Sequence, residues 1–116
     1  MPDPTPLQGR DAGARPDPLA HAVDEIGDRW MILIISAAFA GTSRFDDFQR
    51  DLAVARNILS NRLRRLVDLG ILQKRPVREG ARRMQYALTD KGRALQATLG
   101  EMRHWAADWS AAAPSG

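Results

Sequence analysis

Residues 55–69 read Ala55-Arg56-Asn57-Ile58-Leu59-Ser60-Asn61-Arg62-Leu63-Arg64-Arg65-Leu66-Val67-Asp68-Leu69, and Gly70 follows. At about 100° per residue, Leu59, Leu63 and Leu66 fall within roughly 60° of one another, a narrow apolar seam on a helix. Asn57, Ser60, Asn61, Arg64 and Arg65 spread over the opposite arc, and Arg56 stands in the first turn. Amides, guanidinium groups and a hydroxyl are the side chains that pair with base edges in the DNA major groove: Asn with adenine, Arg with guanine, Ser with either. The only acid on this face, Asp68, is in the last turn. The helix start offers the positive end of its dipole to a phosphate. Gly70 suits the left-handed position that ends a helix. The candidate base-reading set is therefore Arg56, Asn57, Ser60, Asn61, Arg64 and Arg65.

An arginine-rich face also suits a plain solvated helix, and the next segment decides between the two. Leu72–Arg78 and Arg83–Leu88 read as short strands around the turn Glu79-Gly80-Ala81-Arg82, which is a β-hairpin. Arg78, Arg82 and Arg83 cluster at its tip, where a structural turn would be neutral or mixed. With Arg44 they form the candidate backbone contacts of a cationic wing beside a groove-reading helix. From Val54 to Arg83 there are nine basic residues against Asp68 and Glu79, a net +7; the whole chain carries only +3, so the remainder is −4. That asymmetry points to a polyanionic partner. The basic segment contains none of the chain's seven aromatics. Duplex DNA is favoured over single strands or RNA, whose modules stack bases on exposed rings.

Upstream, Leu19, Ala22, Val23 and Ile26 give one apolar face to a helix ending near Gly27. Asp28–Ala40 is apolar on most sides, hence a central buried helix, and Gly41 ends it. Thr42 or Ser43 is expected to cap a third helix carrying Phe45, Phe48 and Leu52. Downstream, Thr89 should cap a single final helix reaching about Trp109. The expected class is mainly α with a small β-hairpin (α+β): a winged helix-turn-helix flanked by N- and C-terminal dimerisation helices.

The 116 residues have room for one domain, and 44% hydrophobic with 27% charged is ordinary for a folded chain. Five of the seven prolines lie in residues 1–18. The division expected is a flexible Pro/Gly-rich tail over 1–16, the domain over 17–109, and a small-residue tail over 110–116. No apolar run approaches the roughly 20 residues of a membrane span, and no secretory h-region is present. A cytoplasmic location is expected. There is no cysteine, and the two histidines, His21 and His104, are far apart, so neither metal site nor cofactor is expected.

These residues together resemble the HxlR family of bacterial transcriptional regulators, related in fold to MarR-type regulators. The matching stretches are Ile26-Gly27-Asp28-Arg29-Trp30; Gly41 with Arg44-Phe45-Asp46-Asp47-Phe48; Leu59–Leu66 with Gly70-Ile71-Leu72; and Arg83, Tyr86, Leu88-Thr89, Lys91-Gly92. The resemblance covers about 17–109. It implies a homodimer on a palindromic operator, with the fourth helix in the major groove and the wing on the flanking backbone or minor groove. The first and last helices would then form the dimer interface, for which Leu19, Val23, Leu99, Met102, Trp105 and Trp109 are the candidates. Many members carry a cysteine shortly before the first helix; Asp17 stands there, so cysteine-based sensing is excluded. Ala55-Arg56-Asn57 replaces the Ser-x-Lys of many members, so operator sequence does not carry over. An effector cavity lined by Trp30, Trp105 or Met102 is open, although these residues serve packing equally well.

Two other classes compete with this reading. An enzyme needs convergent titratable groups in a concave site. Asp46 and Asp47 are splayed by about 100° on a helix, and His104 reads as a surface or interface histidine. A winged-helix module binding an acidic protein partner is the remaining alternative.

Overall fold

The computed structural model describes residues 17–111. The expected tail at 1–16, and residues 112–116 of the one expected at 110–116, lie outside them. The elements run α1 (Pro18–Ile26), α2 (Arg29–Phe39), α3 (Phe45–Leu52), α4 (Arg56–Asp68), β1 (Leu72–Pro76), β2 (Met84–Leu88), α5 (Asp90–Arg93) and α6 (Gln96–Ala111).

The leucine seam of α4 is the keel of the core. Leu59, Leu63 and Leu66 are fully buried against Met31, Ile34 and Ile35 of α2 and Phe48 of α3. Val54, Ile71, Leu72 and Leu99 close the same cluster. Asp17 and Asp28 cap α1 and α2, accepting from the Leu19 and Met31 amides. Ala53, in the turn between α3 and α4, has φ 52. A left-handed alanine costs about 1–2 kcal/mol, so the tight helix-turn-helix corner is maintained by the packing on either side. Helix α4 ends as expected at Gly70, φ 77, with Ile71 N–H on the Leu66 carbonyl and Gly70 N–H on that of Val67. This is the paired-bond termination that a C-terminal glycine permits.

The hairpin is antiparallel, pairing Leu72 with Leu88 and Lys74 with Tyr86. The Tyr86 amide also donates to the Ser43 carbonyl at 2.7 Å, and the Tyr86 ring meets Phe48 edge-on at 6.4 Å. These two contacts fix the wing against the α2–α3 corner.

Three expectations are corrected. Neither Thr42 nor Ser43 caps α3: Arg44 occupies the N-cap without a side-chain bond. Ser43 is drawn toward the wing through its carbonyl, and the Thr42 hydroxyl donates to Asp51 at 3.1 Å. Asp46 and Asp47 answer the dipole of the first turn instead. Second, the final helix is two helices. After α5 the chain tightens, Leu95 N–H bonding the Gly92 carbonyl three residues back, which brings Leu95 and Leu99 onto the core before α6 runs on. Thr89 does cap the first piece, its hydroxyl accepting from Gly92 N–H at 3.1 Å. Third, α6 continues to Ala111, into the stretch expected to be tail.

Candidate nucleic-acid interface

All six candidate base-reading residues are exposed on α4: Arg56, Asn57, Ser60, Asn61, Arg64 and Arg65. Ala55, at the N-cap, provides no side-chain acceptor, so the first-turn amides remain free for a phosphate. Arg62, counted in the basic segment, has another role. It grips Asp28 through two nitrogens, at 2.9 and 3.4 Å, and donates to the Asn61 side-chain oxygen at 3.0 Å. Asp28 thus caps α2, anchors α4 and, through Arg62, orients an amide on the exposed face of α4.

The Arg62 guanidinium holds the Asp28 carboxyl below its ordinary value, and Asp28 raises that of Arg62. A depressed carboxyl contributes stability that is present above its unfolded value near 4 and is lost as pH falls through the folded value. Asp28 is 39% exposed and Arg62 29%, so water screens the pair, and its worth is about 1 kcal/mol or less. Asp28→Asn keeps a capping oxygen while removing the charge. Its melting temperature should fall below wild type at pH 7, and the gap should close as pH drops below about 4. A gap of constant size across that range would show the ion pair contributes nothing.

The wing arginines Arg78, Arg82 and Arg83 are exposed as expected. With Arg44, Ser43, Val77, Ala81 and Gln85 they line a depression of about 580 Å³ between the α2–α3 corner and the hairpin. A second cleft, of about 480 Å³, lies between α3, the start of α4 and the hairpin. It brings together Arg44, Arg56 and Arg83 with a cation outside the candidate set, Lys74. The signal for Lys74 is the strand period: opposite Tyr86 in the hairpin register, it shares that ring's face, its ammonium 5.8 Å from the ring centre. Asp46 and Asp47 also line the cleft, Asp47 pairing with Arg44 at 3.7 Å and Arg50 at 3.1 Å. They act as partners of arginines, as adjacent, splayed carboxylates should.

Five of the six candidate interface residues are exposed: Leu19 and Val23 on α1, and Met102, Trp105 and Trp109 on α6. Leu99 departs from them, turned into the protomer's own core at 5% exposure. Met102 lines an apolar depression of about 240 Å³ between α2 and α6, with Ile32, Leu33 and Leu99; neither Trp30 nor Trp105 lines it.

Residues 25–114, which include α4 and the basic hairpin, match the family model of HxlR-like helix-turn-helix proteins. The chain belongs to the HxlR-like family. An uncharacterized HTH-type transcriptional regulator of Mycobacterium tuberculosis is 38% identical over 87 residues, covering 75% of this chain and 55% of the relative. The chain thus spans about half the length of that relative. The uncharacterized HTH-type transcriptional regulator YvaP of Bacillus subtilis is 37% identical over 89 residues, 76% of this chain and 82% of YvaP. Among solved structures, PA1607, a candidate transcription factor, superposes with TM-score 0.78 at 44% identity, covering 86% of this chain and 69% of that one. The reduced form of the transcriptional regulator YodB from B. subtilis gives 0.73 at 29% identity, covering 89% and 100%.

In this HxlR-like chain the stretch Leu88–Gly92 works as a clamp on the end of α4. The Thr89 hydroxyl donates to the Gly70 and Ile71 carbonyls, and Lys91 reaches the Leu69 carbonyl at 2.7 Å. Gly92 lies directly against the Ile71 carbonyl. Residues after the wing thereby fix the C-terminus of the helix before it.

Proposed function

We propose that this chain is a sequence-specific, duplex-DNA-binding transcriptional regulator that acts as a homodimer. Helix α4 enters the major groove and the wing lies on the flanking backbone or in the minor groove. The observation that carries the reading is the α4 face: the amide, hydroxyl and guanidinium side chains of Arg56, Asn57, Ser60, Asn61, Arg64 and Arg65 stand exposed together, and Arg83 of the wing shares a cleft with the start of the helix. The family and the named relatives support regulation of transcription over catalysis. Dimerisation is supported by large apolar side chains left exposed on both terminal helices, Trp105 at 67% and Trp109 at 69%. Two copies would present reading helices about one DNA turn apart on a palindromic site. Diamide-treated and quinone-bound forms of YodB are among the similar structures, and this sequence has no cysteine.

The test is selection of duplexes from a random pool by the purified protein. A palindromic consensus with half-sites about 10 base pairs apart is expected. Uniform recovery of all sequences would overturn the reading and favour an acidic protein partner for the same surface. On the selected duplex, Arg82→Ala and Arg83→Ala should weaken binding to every sequence alike. Each should lower the salt slope by about one unit for every phosphate it ceases to neutralise; an effect confined to one base position would contradict that role.

A further inference from the structure

Arg56 opens α4, yet it does not lie along the helix's outer face. Its guanidinium carbon is 4.6 Å from the centre of the Phe45 ring, folded back toward α3, with one nitrogen 3.9 Å from Asp46. Across the cleft, the Lys74 ammonium stands over Tyr86, whose backbone is tied to Ser43 and whose ring rests on Phe48. An aromatic face seats a cation without neutralising it. Lys74 is thus held in position with its charge available, and Arg56 is held by the ring with only an exposed carboxylate at the edge of ion-pair distance.

Arg44 and Arg83 line this cleft and also the neighbouring depression, which adds Arg78 and Arg82. Six cations and two carboxylates therefore line two depressions that share a wall. Such a spread suits a chain of anions better than a single small one. The free first-turn amides of α4 stand at the same end of the helix as Arg56.

We propose that this cleft is a track for the sugar-phosphate backbone of duplex DNA. In it Arg56 and Lys74 are phosphate contacts seated by Phe45 and Tyr86, and Arg56 reads no base. The inference rests on the DNA-binding reading above and moves Arg56 from the base-reading set to the backbone set, adding Lys74.

The full chain is titrated with the selected duplex and with a scrambled duplex of equal length at several salt concentrations. Arg56→Ala and Lys74→Ala should each lose about a hundredfold in affinity for both duplexes, about tenfold per copy of the proposed dimer, because each deletes a charge-assisted hydrogen bond in both copies. The ratio between the duplexes should stay unchanged, and the salt slope should fall by about 1.8 for each substitution, about 0.9 per copy. Phe45→Leu keeps every charge and should weaken both complexes while leaving the slope near wild type, with melting temperature followed to confirm folding. Arg56→Ala that lowers the ratio with the slope intact would make Arg56 a base reader and overturn the proposal, as would a Lys74→Ala variant that binds like wild type. Wild-type protein that binds both duplexes equally counts against sequence-specific regulation only, because the slopes still read the cleft. Wild-type protein that binds neither overturns both.

Discussion

Arg64→Ala is expected to abolish most of the preference for the selected duplex while leaving binding to scrambled DNA nearly unchanged. Arg64 is exposed, and among the described residues no carboxylate lies within salt-bridge distance of it, so its guanidinium is free to make a bidentate contact to a base edge. One such contact is worth about 1–3 kcal/mol of discrimination. The proposed homodimer would make it twice, so the loss should reach about 2–6 kcal/mol, or roughly 30-fold to 10⁴-fold in the specificity ratio. Asn61→Ala should act in the same direction. Its oxygen already accepts from Arg62, which leaves a second lone pair and the amide hydrogens for adenine. Competition between the two duplexes measures the ratio. Retention of full discrimination by Arg64→Ala would mean that α4 presents a different face to the groove.

Gly92→Ala, which adds a single methyl group, should be strongly destabilising to the scaffold. A methyl group there would lie 2.2 Å from the Ile71 carbonyl oxygen and 3.0 Å from a Leu88 methyl. The obstacle is backbone, at the junction where Thr89 and Lys91 bind the end of α4, and it has no side-chain rotation to relieve it. Overpacking of this kind costs about 3 kcal/mol. Alanine gains up to about 1 kcal/mol over glycine in helix propensity, so the net loss is about 2 kcal/mol. For a domain of this size the melting temperature should fall by roughly 8–16 °C. An unchanged melting temperature would show that α5 can move off the strand without cost. The neighbouring Lys91→Ala, which removes only a capping bond, should cost far less.

What the sequence made legible was whatever repeats with a local period. The α4 seam, the stop at Gly70 and the hairpin about Gly80 each depend on residues within a turn or two. All three stand in the structure where the spacing put them. The Asp28–Arg62 pair was not legible: 34 residues separate its members, and only the packing of α2 on α4 brings them together. Its effect on the interface was to remove Arg62 from the free cations. The α3 cap departs from local spacing for a related reason, since the wing, 43 residues on, claims the Ser43 carbonyl. Leu99 shares a helix with the exposed Met102, Trp105 and Trp109, and only the tightening at Leu95 decides that it faces the core. Lys74 had a readable signal in its register with Tyr86, but pairing it with Arg56 needed the geometry of the third helix.

The two uncovered indoles of α6 also make the molecule its own optical probe. Of three tryptophans, Trp30 is half-buried against the core, while Trp105 and Trp109 face solvent in a single copy. Indole emission moves to shorter wavelength when water is excluded, so the colour of the intrinsic fluorescence registers whether α6 is covered. The state of association can be followed without a label at the concentrations where DNA binding is measured.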